Sequence, residues 1–146
     1  MREPVGMRTP SAVITVEKFS SQFPTLVLAQ RVPPRKPESI HILLISAAIA
    51  FDLGRDYSET EVNSLLEHWV DEFGEGCGLD HVTIRRLLID EGYLRRDTAG
   101  KKYAANSRGF RFRYDPMIRT LDLHGLIENA RAEREARKAA RERNAT

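Results

Sequence analysis

The sequence predicts an α+β fold that is mainly α: three helices and a β-hairpin over residues 37–105, an extended arm over 1–36, and a strand with a long helix over 106–146. Three observations predict it. Residues 40–53 are apolar on nearly every side, residues 58–73 combine a helix-start signal with apolar spacings of three and four, and residues 93–104 read as two short strands around a glycine-containing turn. Hydrophobic residues at 41% and charged residues at 30% are ordinary for one globular domain of 146 residues, which decides against a disordered or membrane-embedded chain.

Each element has a local cause. Six of the seven prolines lie within the first 37 residues, where missing amide donors and the restriction on the preceding residue predict an extended arm; Ala12–Val16 and Leu26–Leu28 are short apolar stretches that either form strands or lie on the core. Pro37 suits a first helical turn and Gly54 a left-handed stop, so a helix is predicted from Pro37 to Leu53. With Ile40, Leu43, Leu44, Ala47, Ala48 and Phe51 on one stripe and Ile42, Ile45 and Ile49 on another, that helix is central. Ser58 and Glu61 have the spacing of a capping box, flanked by Tyr57 and Val62 at hydrophobic-staple positions. Val62, Leu65, Leu66, Trp69, Val70 and Phe73 follow on one face, and Gly74, Gly76 and Gly78 end the second helix. Asp80 is the expected cap of a third helix that stops at Gly92, with Ile84, Leu87 and Leu88 inward. Tyr93–Arg96, Asp97–Gly100 and Lys101–Ala104 form the predicted hairpin. Three helices followed by a hairpin is a winged-helix-like plan, in which the third helix often reads DNA.

Past the hairpin, Arg108 to Tyr114 alternates arginine and aromatic residues. A strand there places Phe110, Phe112 and Tyr114 on one face and Arg111 and Arg113 on the other. Asp115-Pro116 then opens a last helix with Ile118, Leu121, Leu123, Leu126 and Ile127 as its apolar contacts. From Arg131 to Arg143 it turns charged, with Glu133 and Arg137 an i, i+4 pair, and is expected to be solvated.

The stretch Tyr57 to Asn106 resembles an uncharacterised bacterial family, domain of unknown function 2087, whose members are often attached to helix-turn-helix regulators. The pieces that carry the resemblance are Tyr57–Asn63, Thr83–Asp90, Gly92–Asp97, Gly100 and Tyr103. The resemblance implies a winged-helix-like fold and an association with transcription control, and it brings no established catalytic residues. Two features depart from the family pattern. The loop from Glu72 to Leu79 is longer and richer in glycine, and the separate DNA-binding domain that often precedes the module is not found before Tyr57.

Charge is unevenly spread. Residues 54–105 carry seven basic and eleven acidic groups, whereas residues 106–146 carry ten and six, so attraction to a polyanion concentrates after the hairpin. The candidate nucleic-acid-binding residues are Arg85 and Arg86 on the third helix, Arg95, Arg96, Lys101 and Lys102 on the hairpin, and Arg111 and Arg113 on the strand. The third helix carries Val82 and Ile89 opposite Ile84 and Leu88, which predicts a helix packed on both sides and favours the arginine strand and basic tail as the binding surface.

No catalytic residues and no cofactor are expected. Asp71, Glu72 and Glu75 crowd the end of the second helix without a paired base or nucleophile, and no phosphate loop or nucleophile elbow is present. His68, Cys77 and His81 lack the spacing of a zinc site, so no metal is expected. The lone cysteine excludes an intramolecular disulfide and, with no signal-like or membrane-spanning stretch, points to the cytoplasm. The expected function is a non-enzymatic, transcription-associated DNA- or RNA-binding regulator; the alternatives are a module for homodimerisation or binding another protein, and a small-ligand or metal sensor using the glycine loop at 74–79.

Overall fold

The computed structural model describes residues 12–29 and 34–145. Strand β1 (Ala12–Ile14) runs parallel to β5 (Phe112–Tyr114), with Ile14 opposite Tyr114. Thr15 then caps α1 (Val16–Leu28) by accepting a hydrogen bond from the Lys18 amide at 3.1 Å. This helix corrects the expectation of an extended arm, and the Leu26–Leu28 stretch is its last turn. Pro24 lies inside α1, at a cost of about 3 kcal/mol. Phe19, Phe23 and Val27, at successive intervals of four, are all buried, and burying each contributes about 1.5–3 kcal/mol, which outweighs that cost. The Phe19 and Phe23 rings stack at 5.2 Å, and Phe23 meets the edge of Phe73 at 5.4 Å. The parts of the predicted arm at 1–11 and 30–33 lie outside the described residues.

Helix α2 (Pro37–Ala48) is the central element, buried continuously from His41 to Ala48. It stops earlier than predicted. Ile49, Ala50 and Phe51 tighten the chain with amide bonds to Ile45, Ala47 and Ala48, which turns Phe51 back into the core. Gly54, at φ +80°, serves the turn into β2 (Asp56–Ser58) rather than the helix stop.

Ser58 caps α3 (Glu59–Trp69) with both halves of the capping box: the Glu61 amide donates to Ser58 Oγ, and the Ser58 amide donates to Glu61 Oε1, each at 3.1 Å. A π-helical turn, Val70–Gly74, continues the helix. Gly74 is required there, since an added Cβ would lie 2.3 Å from the Trp69 ring. Asp80 caps α4 (His81–Asp90) by accepting from the Thr83 amide, and Ile84 and Leu88 face the core. Gly92 then turns the chain, at φ +85°, into the hairpin of β3 (Leu94–Arg96) and β4 (Lys102–Ala105).

Strand β2, which lacks a pattern long enough to read locally, pairs with the outer edge of β4 and completes a three-stranded antiparallel sheet of order β2-β4-β3. Its buried Tyr57 lies opposite the buried Tyr103. Asp115-Pro116 opens a 3-10 turn, Pro116–Thr120, and not the last helix; extended backbone at Leu121 interrupts it before Asp122 caps α5 (Leu123–Asn144). The start of α5 packs on α1 and buries Ile127, while residues 131–145 are exposed apart from a half-buried Ala140. The fold is thus α+β and mainly α, with a small sheet and a long C-terminal helix. Among the described residues, no helix is long and apolar enough to cross a membrane.

Candidate nucleic-acid interface

The eight predicted cations have different fates. On α4, Arg85 is drawn onto α3, donating to the Asn63 side-chain oxygen and lying 3.5 Å from Glu59. Arg86 is exposed. Val82 on the same helix is 50% exposed, whereas Ile84 and Leu88 are buried in the core. Ile89 is partly buried against that core.

On the hairpin, strand alternation separates Arg95 from Arg96. Arg96 shares a face with its cross-strand partner Tyr103, whereas Arg95 opposes Ala104 and shares the outer face with Lys102. Lys101 lies in the turn. Asp97 Oδ1 accepts from the Lys101 and Lys102 amides, and these bonds hold its carboxyl below the usual carboxylate range.

Arg111 is clamped by Glu91 through two hydrogen bonds, Nε to Oε2 at 3.1 Å and Nη2 to Oε1 at 2.8 Å, so its charge is already matched. Arg113 is exposed and bridges Arg108 across a tight turn in which the Gly109 amide donates to the Phe112 carbonyl. Among the described residues, none of Arg95, Lys102, Arg108 and Arg113 lies within ion-pair distance of a carboxylate.

The turn at 106–113 departs from the predicted two-faced strand. Tyr114 is buried and Phe112 partly so, but Phe110 is 66% exposed. Its amide donates to the Glu91 carbonyl at 2.8 Å, which ties the turn to the end of α4. Phe110 lines a cleft of about 830 Å³ with Leu53, Arg95, Asn106 and Arg108. Asn106 organises this wall: its side chain donates to the Gly92 carbonyl and accepts from Arg95. The sequence pattern names Phe110 and Arg95 but not their meeting, because Leu53, Arg95 and Phe110 come together only when the chain after Phe51 bridges β4 at Leu53–Ala105.

Beside this cleft lies a buried chain of polar groups that sequence reasoning missed. His41, 1% exposed, faces the Tyr93 hydroxyl with Nδ1 at 2.6 Å and the Glu91 carboxylate with Nε2 at 3.3 Å. A neutral imidazole with its proton on Nε2 satisfies both: the Tyr93 hydroxyl donates to Nδ1, and Nε2–H donates to Glu91. Burial lowers the His41 pKa, opposed by the Glu91 charge and reinforced by Arg111. Burial likewise raises the Tyr93 pKa. The order hydroxyl–imidazole–carboxylate has the form of a nucleophilic triad, and Tyr93 within it is fully buried. The arrangement fastens α2 to the end of α4 and to β5, where Phe112 lies 4.3 Å from the imidazole.

The residues weighed for metal and acid chemistry are dispersed. The buried Cys77 thiol points to the Leu26 carbonyl, His81 lies 3.6 Å from Glu67, and His68 pairs with Glu72. Glu72 also accepts from His124 at 2.6 Å, joining the π-helical turn to α5. Among the described residues, no group of three or more His, Cys, Asp or Glu is placed to hold a metal ion.

Fold and surface together define an α+β, mainly α protein whose buried centre is α2 and whose cleft between Leu53 and Phe110 carries Arg95 and Arg108. Residues 30–105 match the family described as "Uncharacterized protein conserved in bacteria (DUF2087)", and the chain belongs to it. The match takes in α2 as well as the capping box, α4 and the hairpin. No curated protein and no solved structure matches the chain.

Proposed function

We propose that this protein is a cytoplasmic, non-enzymatic nucleic-acid-binding regulator of winged-helix type. The observation that carries the reading is that Arg95 and Arg108 line one cleft and Arg113 bridges Arg108, none of the three within ion-pair distance of a carboxylate among the described residues. Exposed arginines without a carboxylate partner supply phosphate contacts, which set register and affinity without reading sequence. The order α2, β2, α3, α4, then the β3–β4 hairpin supports the same reading, because a hairpin directly following the third helix is the order a winged helix has. The surface of α4 itself argues for a secondary role. It offers Arg86 among Val82, Asp80 and Asp90, and Arg85 is occupied by α3.

Fluorescence anisotropy with a labelled duplex at several salt concentrations tests the reading. Binding should weaken linearly on a logarithmic salt axis, and the double variant Arg108→Ser/Arg113→Ser should lower the slope by about 2. Absence of duplex and single-strand binding at low salt overturns it. A stable dimer by sedimentation, with no nucleic-acid binding, would replace it with the interaction-module reading.

A further inference from the structure

We propose that the cleft between Leu53 and Phe110 is a nucleotide site: a base lies against Phe110 and its phosphate sits between Arg95 and Arg108. This deepens the nucleic-acid reading and rests on it where the nucleotide belongs to a strand.

Phe110 is the most exposed of the large hydrophobic residues described, at 66%. A single exposed phenylalanine is ordinary, but this one is held in place. Its ring crosses Gly92, where an added Cβ would come within 2.7 Å of it, and Gly92 also has the left-handed φ of +85°. The residue before it, Gly109, lies so close to Tyr93 and the Glu91 carbonyl that a Cβ would stand 2.6 and 2.9 Å from them. Two positions restricted to glycine, the amide bond to Glu91 and the turn closed by Phe112 therefore fix an aromatic ring at the rim of a cleft.

The chemistry of the cleft suits one nucleotide unit. Arg95 and Arg108 supply two cations on its wall, neither within ion-pair distance of a carboxylate among the described residues, and Ser107 adds a polar residue beside them. Leu53, 47% exposed, supplies apolar surface on the opposite strand connection. A planar apolar face with adjacent guanidinium groups is what single-strand binders present to a base and its phosphate. A duplex keeps its bases stacked on each other and cannot reach Phe110 with one. The shared ligand chemistry is a base with a phosphate, and two sources carry it: an unpaired residue of a strand, or a free mononucleotide.

The test uses the full chain, anisotropy of a labelled oligothymidylate, a labelled duplex, and competition by free thymidine and adenosine monophosphates. Expected is single-strand binding that Phe110→Leu weakens about tenfold or more, that Phe110→Trp preserves, and that leaves duplex binding unchanged. Leucine keeps apolar contact with Gly92 while removing the aromatic face. Ultraviolet cross-linking of the oligonucleotide to the unaltered protein, mapped by mass spectrometry, reads the same contact if that variant fails to fold; a cross-link at Phe110 supports the site. Binding of free mononucleotides alone, sensitive to Phe110→Leu, supports the site and removes the strand-binding reading. Duplex binding without single-strand binding, or single-strand binding unmoved by Phe110→Leu with no cross-link at Phe110, overturns the nucleotide site and leaves the duplex reading standing. No binding by any probe overturns both.

Discussion

The Tyr93 hydroxyl lies 2.6 Å from Nδ1 of His41, deep in the core and fifty-two residues apart in sequence. This contact links the middle of α2 to the turn that ends α4, and through Glu91 it reaches Arg111 beside the exposed cleft. It makes the position of the cation-bearing turn depend on the packing of the central helix.

Removing the hydroxyl should be costly. Tyr93→Phe leaves His41 Nδ1 buried without a donor, with an expected loss of about 1–3 kcal/mol in urea unfolding. Tyr93→Phe with His41→Phe should cost less than the sum of the two single changes, since both remove the same bond. Strict additivity would show that the pair does not interact.

The same histidine sets a pH dependence. Burial, its largest influence, lowers the folded pKa below that of the unfolded chain, so the unfolded state binds more protons between the two values. The stabilising contribution of neutral His41 is complete above about pH 6.5 and is lost as pH falls from there toward the folded pKa. Thermal melts between pH 5 and 8 should show this decline, and His41→Gln, which keeps hydrogen-bonding groups but does not titrate, should flatten it. An identical decline in that variant would assign the effect to other groups.

Two glycines should respond differently to alanine. Gly54→Ala meets no atom within 4 Å and suffers only its left-handed backbone at φ +80°, a cost of about 1–2 kcal/mol. Gly109→Ala places a methyl against the Tyr93 ring and the Glu91 carbonyl, so it should be the more destabilising of the pair and should also disturb the Phe110 turn. Equal melting temperatures for the two variants would contradict the close approach at Gly109.

Cys77 should be unreactive in the native state. Its thiol is buried against α1, and desolvation pushes its pKa up, so little thiolate is present at neutral pH. Labelling by a thiol reagent should therefore follow unfolding, rising with urea in step with the unfolding transition. Rapid modification in native buffer would place the π-helical turn and the loop after it in an open state.

Legibility followed the range of each interaction. The capping box of Ser58 and Glu61, the Asp80 cap and the Asp97–Gly100 turn were readable because each closes within three to five residues. Helix α1 was not. Pro24 within it is a local signal against helix, and the Phe19–Phe23–Val27 stripe decides the matter only through distant partners such as Phe73. Strand alternation puts Phe110 on one face with Phe112 and Tyr114, but it does not persist through a tight turn docked onto Glu91, and Phe110 is exposed. Arg111 was readable as a cation but not as one already matched by a carboxylate twenty residues earlier.

The sequence by itself determined the helical class, the caps at Ser58 and Asp80, the hairpin and the surplus of cations after residue 105, since composition and short-range bonding suffice for these. Tertiary structure alone decided that Ala12–Ile14 pairs with Phe112–Tyr114, that His41 meets Tyr93 and Glu91, and that Leu53, Arg95, Arg108 and Phe110 share one cleft. The physical reason is one of distance along the chain. Local hydrogen bonds are chosen by neighbours, whereas a buried polar contact or a cleft wall is chosen by whichever remote segment the apolar core brings against it.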